Sequence, residues 1–265
     1  MKYWENYLEP VKYTDGFYHI GSRNGPCWLL ESDDGLILID TGMPKDLYGI
    51  IYNMTSLGYD VKNVRHIIHS HGHIDHIGGT RALVALTGAK TYIGRADADM
   101  VMGKNQLQWT NEFNIPFEEP FTPDVLIDDG DVIEIGNRKF EFFSTPGHTA
   151  GTMTMFFNVT EQGRELRAGT FGGAGLNTMS RAYMDKYGLP YSLREDFLAS
   201  IDRMMDKIPE VHVGNHLGDN AHFVKLEKRK SGCECNPFAD GRTWQQFLYG
   251  RRKEALAAFS KDPID

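Results

Sequence analysis

Cysteine is scarce in this chain, and so are long apolar runs and surplus positive charge. Only Cys27, Cys233 and Cys235 occur among the 265 residues, and an odd count is a poor disulfide framework. Cys233 and Cys235 are too few and too close together to make a zinc site alone, so they read as reduced thiols. No apolar segment approaches the roughly 20 residues needed to cross a bilayer; "GLILID" and "ALVAL" are core-sized. The start, "MKYWENYLEP", lacks the charged, apolar and small-residue zones of a secretory leader. The expected compartment is the cytoplasm, or the periplasm or exterior if a leader has been trimmed away. Asp and Glu outnumber Lys and Arg by 36 to 28, a net charge of −8, which argues against nucleic acid or a membrane surface as partner. The cationic run "VKLEKRK" reads as a solvated helix face. Repeats and low-complexity tracts are missing too. The expectation is one domain over residues 1–265 acting on a small molecule, with the oligomeric state not written in the sequence.

The pattern of what is present alternates strands with helices. "GFYHIGS", "CWLLES" and "GLILIDTG" read as strands, with Asp33-Asp34-Gly35 turning between the last two. Pro44 opens a helix that Gly58 closes. "VRHIIHS" reads as a buried strand, followed by Gly78-Gly79 at a sharp turn and a short helix ended by Gly88. Residues 104–124 break into an aromatic loop with Trp109, Phe113, Phe117 and Phe121. There, or at Trp4 and Tyr7, aromatics could wall a groove or simply pack. Strands resume at "VLID", "DVIEIG", "RKFEFFST" and "GTMTMFFNV". A helix over 193–207 follows, with Ser192 and Glu195 as a capping box and Leu193, Phe197, Ile201, Met204 and Ile208 on one face. After the short strand "VHVG", the chain ends in a helix with Trp244, Phe247, Leu248 and Phe259 facing inward. Two such halves predict an α/β fold, a four-layer αββα sandwich of two mixed sheets with helices outside.

Histidine is where the sequence departs from the ordinary. In "HSHGHIDH", residues 69–76, His71 and His73 are two apart and project to the same side of extended backbone. Asp75 and His76, past the turn, can serve a neighbouring position. His66 and His69 fall outside this set and read as packing or supporting residues. In "STPGHT", Pro146 and Gly147 place His148 at a strand exit. His212, inside "VHVG", reads as structural; His216, in the glycine-flanked loop after it, is the better ligand, and His222 is expected at the rim.

These residues resemble the metallo-β-lactamase fold superfamily, whose HxHxDH signature matches His71, His73, Asp75 and His76. "LILIDTG" is similar to that family's strand ending in a supporting aspartate, here Asp40. "STPGHTAGT" brings in His148, and the same match makes His216 the last ligand. Most hydrolases of the family carry a metal-bridging aspartate after the next strand; here the segment is "RAGTFGGAG", with Thr170 at that place and no acid between Arg167 and Met184. The third subclass of the true β-lactamases, with an all His/Asp site, also lacks the bridge. The tail "NPFADGRTWQQFL" and the early "EPVKYTDGFYHIGS" resemble that subclass as well.

The resemblance implies a hydrolase with two zinc ions, one held by His71, His73 and His148 and the other by Asp75, His76 and His216. Iron and manganese also accept these donor types. A water shared by two such ions would have its pKa lowered towards roughly 7 and would attack a carbonyl, opening a cyclic amide. Asp75 is the expected catalytic residue, orienting that water and passing its proton to the leaving nitrogen. Thr170, Asn220 and Trp109 are candidates either to support the ligands from behind or to contact the substrate. The alternative is a lactonase or thioesterase of the same fold. A redox partner like the flavo-di-iron proteins is disfavoured, since those use a glutamate where His73 stands and append a flavin domain.

Overall fold

A computed structural model describes residues 6–264. It contains the strands β1 (Val11–Thr14), β2 (Phe17–His19), β3 (Trp28–Ser32), β4 (Gly35–Ile39), β5 (Val64–Ile68), β6 (Lys90–Gly94) and β7 (Val125–Ile127), which form one sheet in that spatial order. Its first three pairings are antiparallel, and β4 to β7 run parallel. The second sheet runs β12–β11–β10–β9–β8, from β8 (Val132–Ile135), β9 (Arg138–Ser144), β10 (Met153–Glu161), β11 (Arg164–Thr170) and β12 (Val211–His212). All its pairings are antiparallel except β11 with β12. Both sheets are therefore mixed, as expected.

The helices are α1 (Leu47–Ser56), α2 (Ile74–Ile77), α3 (Thr80–Thr87), α4 (Ala98–Val101), α5 (Thr110–Phe113), α6 (Arg181–Tyr187), α7 (Leu193–Met204), α8 (His222–Lys230) and α9 (Arg242–Lys261). The period-2 alternation of β4 shows why four layers form. Ile37 and Ile39 join Phe17, Trp28, Phe140 and Phe157 between the sheets. Leu36 and Leu38 face outward onto Ile50, Met54 and Leu83 of α1 and α3. On the far side Phe156 of β10 meets Phe197 and Ile201 of α7 and Trp244 and Leu248 of α9. Each sheet thus hides both faces, one on the other sheet and one under helices.

Three local expectations fail for physical reasons. Ser192 makes no capping bond, because its own backbone is already helical (φ −56, ψ −19): a capping side chain needs an extended residue to reach forward. The Arg194 N–H, one of the groups a Ser192 cap could have served, donates instead to the Tyr191 carbonyl. The helix stops at Met204, so Ile208 lies beyond it and is 46% exposed. Gly78 and Gly79 do not supply an unusual turn, since their φ values are −61° and −89°. They supply room: a Cβ on Gly78 would sit 2.3 Å from Pro44 Cδ, and one on Gly79 2.8 Å from the Thr41 carbonyl.

Candidate metal centre

Five chain segments converge where the parallel strands of both sheets end. The β5 exit carries His69 to His73 and turns into α2, which begins with His73 as its extended N-cap. The loop between β9 and β10 carries His148, and the loop after β12 carries His216. The Met153 N–H donates to the Ser70 carbonyl at 2.9 Å, binding the second sheet directly to the first histidine loop. Asp97, after β6, completes the junction. Its carboxylate is fully buried and accepts from Gly72 N–H (2.9 Å), Gly151 N–H (2.8 Å) and Thr149 Oγ1 (2.7 Å). The His71–His73 loop and the His148 loop are thereby held to a common anchor.

Six donors gather here as two triads. The ligand atoms of His71, His73 and His148 lie within 4.8 Å of one another, and so do those of Asp75, His76 and His216. His71 Nε2 is 3.1 Å from His73 Nδ1. In the second triad His76 Nε2 lies 3.4 Å from His216 Nε2, and Asp75 Oδ2 lies 3.5 and 3.6 Å from those two nitrogens. Donors about 2.0–2.1 Å from a tetrahedral zinc are about 3.3–3.4 Å from one another. The residues present fit a cation at each triad, and the second is nearly equilateral on that scale.

The surroundings decide which ring nitrogens are free. Asp40 ends β4 with a left-handed φ of 58° and accepts from Ser70 N–H (2.9 Å), Ser70 Oγ (2.8 Å) and His76 Nδ1 (2.8 Å). Ser70 Oγ in turn accepts from His71 Nδ1 (3.0 Å) and from Asn215 Nδ2 (3.0 Å). His148 Nδ1 donates to the Gly175 carbonyl at 2.8 Å. Each of these bonds places the proton on Nδ1 and the lone pair on Nε2, facing the triads. Burial, then the neighbouring histidines, pushes His71 and His73 well below the usual imidazole range. Burial also brings His148 down to about 4 and lowers His216. His76 goes up instead: burial opposes the charge, but Asp75 and Asp40 outweigh it. Burial likewise works against ionising Asp40, yet the charge of His76 and its hydrogen bond, with His69 close by, hold the carboxyl well below the usual range.

Other residues singled out in the sequence fall around this pair or away from it. Thr170 closes β11, 2% exposed, and its Oγ1 has no partner among the described residues. Trp109 packs its ring 5.8 Å from that of His73 and 4.8 Å from that of Tyr183. His69 bonds to Thr80 Oγ1, and His66 bridges Tyr92 and Asp34, so neither enters a triad. His212 is buried against Thr243 Oγ1.

Two expectations are corrected. Asn220 is wholly buried and spends its amide on Tyr13 OH and the His212 carbonyl, so it shapes the His216 loop from beneath and offers no surface to a substrate. His222 is not at a rim: it is 1% exposed, with Nδ1 on Tyr13 OH and its ring against Phe238. Trp4 lies outside the described residues, and Tyr7 packs on α1 through Asn53 and Tyr52. Ser70, Asp97 and Asn215 had no signal in the sequence. Each is a single small polar residue whose partners lie on other segments.

Comparison with known proteins identifies the family and the fold. Residues 20–160 match the Metallo-beta-lactamase superfamily. The fold is similar to BJP-1, a subclass B3 metallo-beta-lactamase of Bradyrhizobium japonicum, at a TM-score of 0.87 and 24% identity over 99% of this chain and 97% of that one. The Bacillus subtilis protein YobT is 27% identical over 72% of this chain and 82% of its own length. The N-acyl homoserine lactonase of Bacillus thuringiensis is 25% identical over 53% of this chain and 60% of its own length. The chain therefore belongs to the metallo-β-lactamase superfamily and is a metal-dependent hydrolase.

Proposed function

We propose that this hydrolase holds two zinc ions, one at His71, His73 and His148 and one at Asp75, His76 and His216, and opens a cyclic amide in the manner of a β-lactamase. The observation that carries the reading is the donor set: two all-nitrogen-and-carboxylate triads, with Thr170 rather than an acid at the end of β11. The likeness to a subclass B3 β-lactamase over almost the whole chain supports it. Thiolate-free nitrogen and oxygen donors suit zinc, and metal analysis of the purified protein decides between it and iron or manganese.

When bound, such ions acidify water and polarise a carbonyl oxygen. The chain's own residues do the rest. Asp40, Ser70 and the Gly175 carbonyl fix the ring orientations, so the donors are organised before substrate arrives. Asp75 turns Oδ2 towards His76 and His216, and its other oxygen is the group to orient water and carry a proton to the leaving nitrogen. Trp109, packed against Tyr183 beside His73, forms one wall of the site.

A second reading, a lactonase or thioesterase, is supported by the similarity to an N-acyl homoserine lactonase. Turnover of a carbapenem and of a homoserine lactone by zinc-loaded protein separates the two, with a chelated sample and His71→Ala as controls. Chelator-sensitive opening of the carbapenem supports the β-lactamase reading. No carbapenem opening by protein with full metal content sinks it, and turnover of the lactone alone transfers the assignment to ester chemistry.

A further inference from the structure

Cys233 and Cys235 sit in the loop between α8 and Phe238, outside both triads. Their Sγ atoms are 2.7 Å apart, about 0.7 Å beyond the ~2.05 Å length of a formed disulfide bond. A bend over Glu234 and Cys235 turns the two side chains to the same side. Cys235 is exposed and Cys233 half-buried, so a small reagent reaches them, whereas the third thiol, Cys27, is buried. The loop is held at one end by Asn236, whose side chain bonds to the Tyr13 carbonyl (2.6 Å), Glu161 (3.0 Å) and Arg229 (2.7 Å). That anchor fixes the end of the loop next to Cys235.

We propose that Cys233 and Cys235 form a reversible dithiol–disulfide site that exchanges with low-molecular-weight disulfides such as glutathione disulfide. Either thiol can open the exchange, Cys235 being the more exposed and Cys233 having its thiolate favoured by the bond between the two and by the Lys228 charge. The first thiolate attacks one sulfur of the disulfide, forming a mixed disulfide and expelling one thiolate. The other cysteine then gives up its proton and attacks the Sγ of the first, closing the internal bond and expelling the second thiolate. The two cysteines lose two electrons and two protons, and the reagent gains both as two thiols.

The test uses full-length, metal-loaded protein equilibrated in glutathione buffers from fully reduced to fully oxidised, then acid-quenched, alkylated and analysed by peptide mass. The expected result is a loop peptide that loses two hydrogens and both alkylation sites together as the buffer becomes oxidising. In Cys235→Ser the reaction stops at a glutathione adduct on Cys233. Cys27 takes alkylating reagent only after denaturation, in every sample. Thermal melting of Cys235→Ser checks that the fold is kept. Free thiols at every buffer composition overturn the proposal; so do glutathione adducts without ring closure in the unmodified chain, or disulfide-linked dimers only.

Discussion

Ser70 shows how much of this centre depends on one small side chain. Its hydroxyl donates to Asp40 and accepts from His71 and Asn215, so it joins both triads without touching either ion position. Ser70→Ala removes the acceptor that fixes the His71 tautomer. Metal affinity should fall about 10–100-fold, the usual cost of losing such support, as read by competition with a chromogenic chelator. A second residue-scale prediction concerns pH. Burial brings His212 down to about 3 in the folded chain, against about 6.5 when unfolded. A depressed pKa means that this stability is full above pH 6.5 and is lost as pH falls from there towards 3, because the unfolded chain takes the proton first. The urea midpoint should drop over that window, and the drop should be shallower in His212→Gln. Residues of this kind are only partly readable in sequence. Asp40 could be read because "LILIDTG" resembles the family's strand that ends in a supporting aspartate. Asn220 and His222 were misjudged because their common partner, Tyr13, lies more than 200 residues away, and no local pattern encodes that.

At the scale of elements, the segment after β11 is the most exacting. Gly173 and Gly175 lie against the His148 ring: an added Cβ would be 2.6 Å from its Cδ2 at the first position and 2.8 Å from its Cε1 at the second. Gly173→Ala must therefore displace the ring, and hydrolysis should fall at least about tenfold, the scale of a misplaced reacting group, while far-ultraviolet circular dichroism stays unchanged. The junction at Asp97 makes a different prediction. Asp97→Ala strands the Gly72 and Gly151 N–H groups in a buried site, each costing about 1–3 kcal/mol. Urea denaturation of metal-free protein should show that loss directly, since no ion is needed for it. The strands were readable because "GLILI" is a short apolar run beside an Asp-Asp-Gly turn, and "MTMF" alternates small polar with large apolar residues. Caps and hinge glycines were read less well, since the same residue types serve turning, packing and close approach.

For the whole molecule, the αββα layering followed from the order of strands and helices in two similar halves, and the family match and structural likeness agree with it. The meeting of six donors at one edge is a tertiary fact, visible in sequence only through the spacing of a few histidines. Removing metal should be felt globally. With free ion at a thousand times its Kd, one site adds about 4 kcal/mol to folding. A chain of this size should then lose about 10 °C in Tm on chelation, measured by calorimetry with and without chelator.

Each triad draws on both halves of the chain: His71 and His73 come from the first sheet and His148 from the second, and Asp75 and His76 come from the first and His216 from the second. Neither half alone owns a complete set. Ion capture during refolding is then a clock for the docking of the sheets. Secondary structure should form first, and uptake of metal should lag behind it by the time the two halves take to meet.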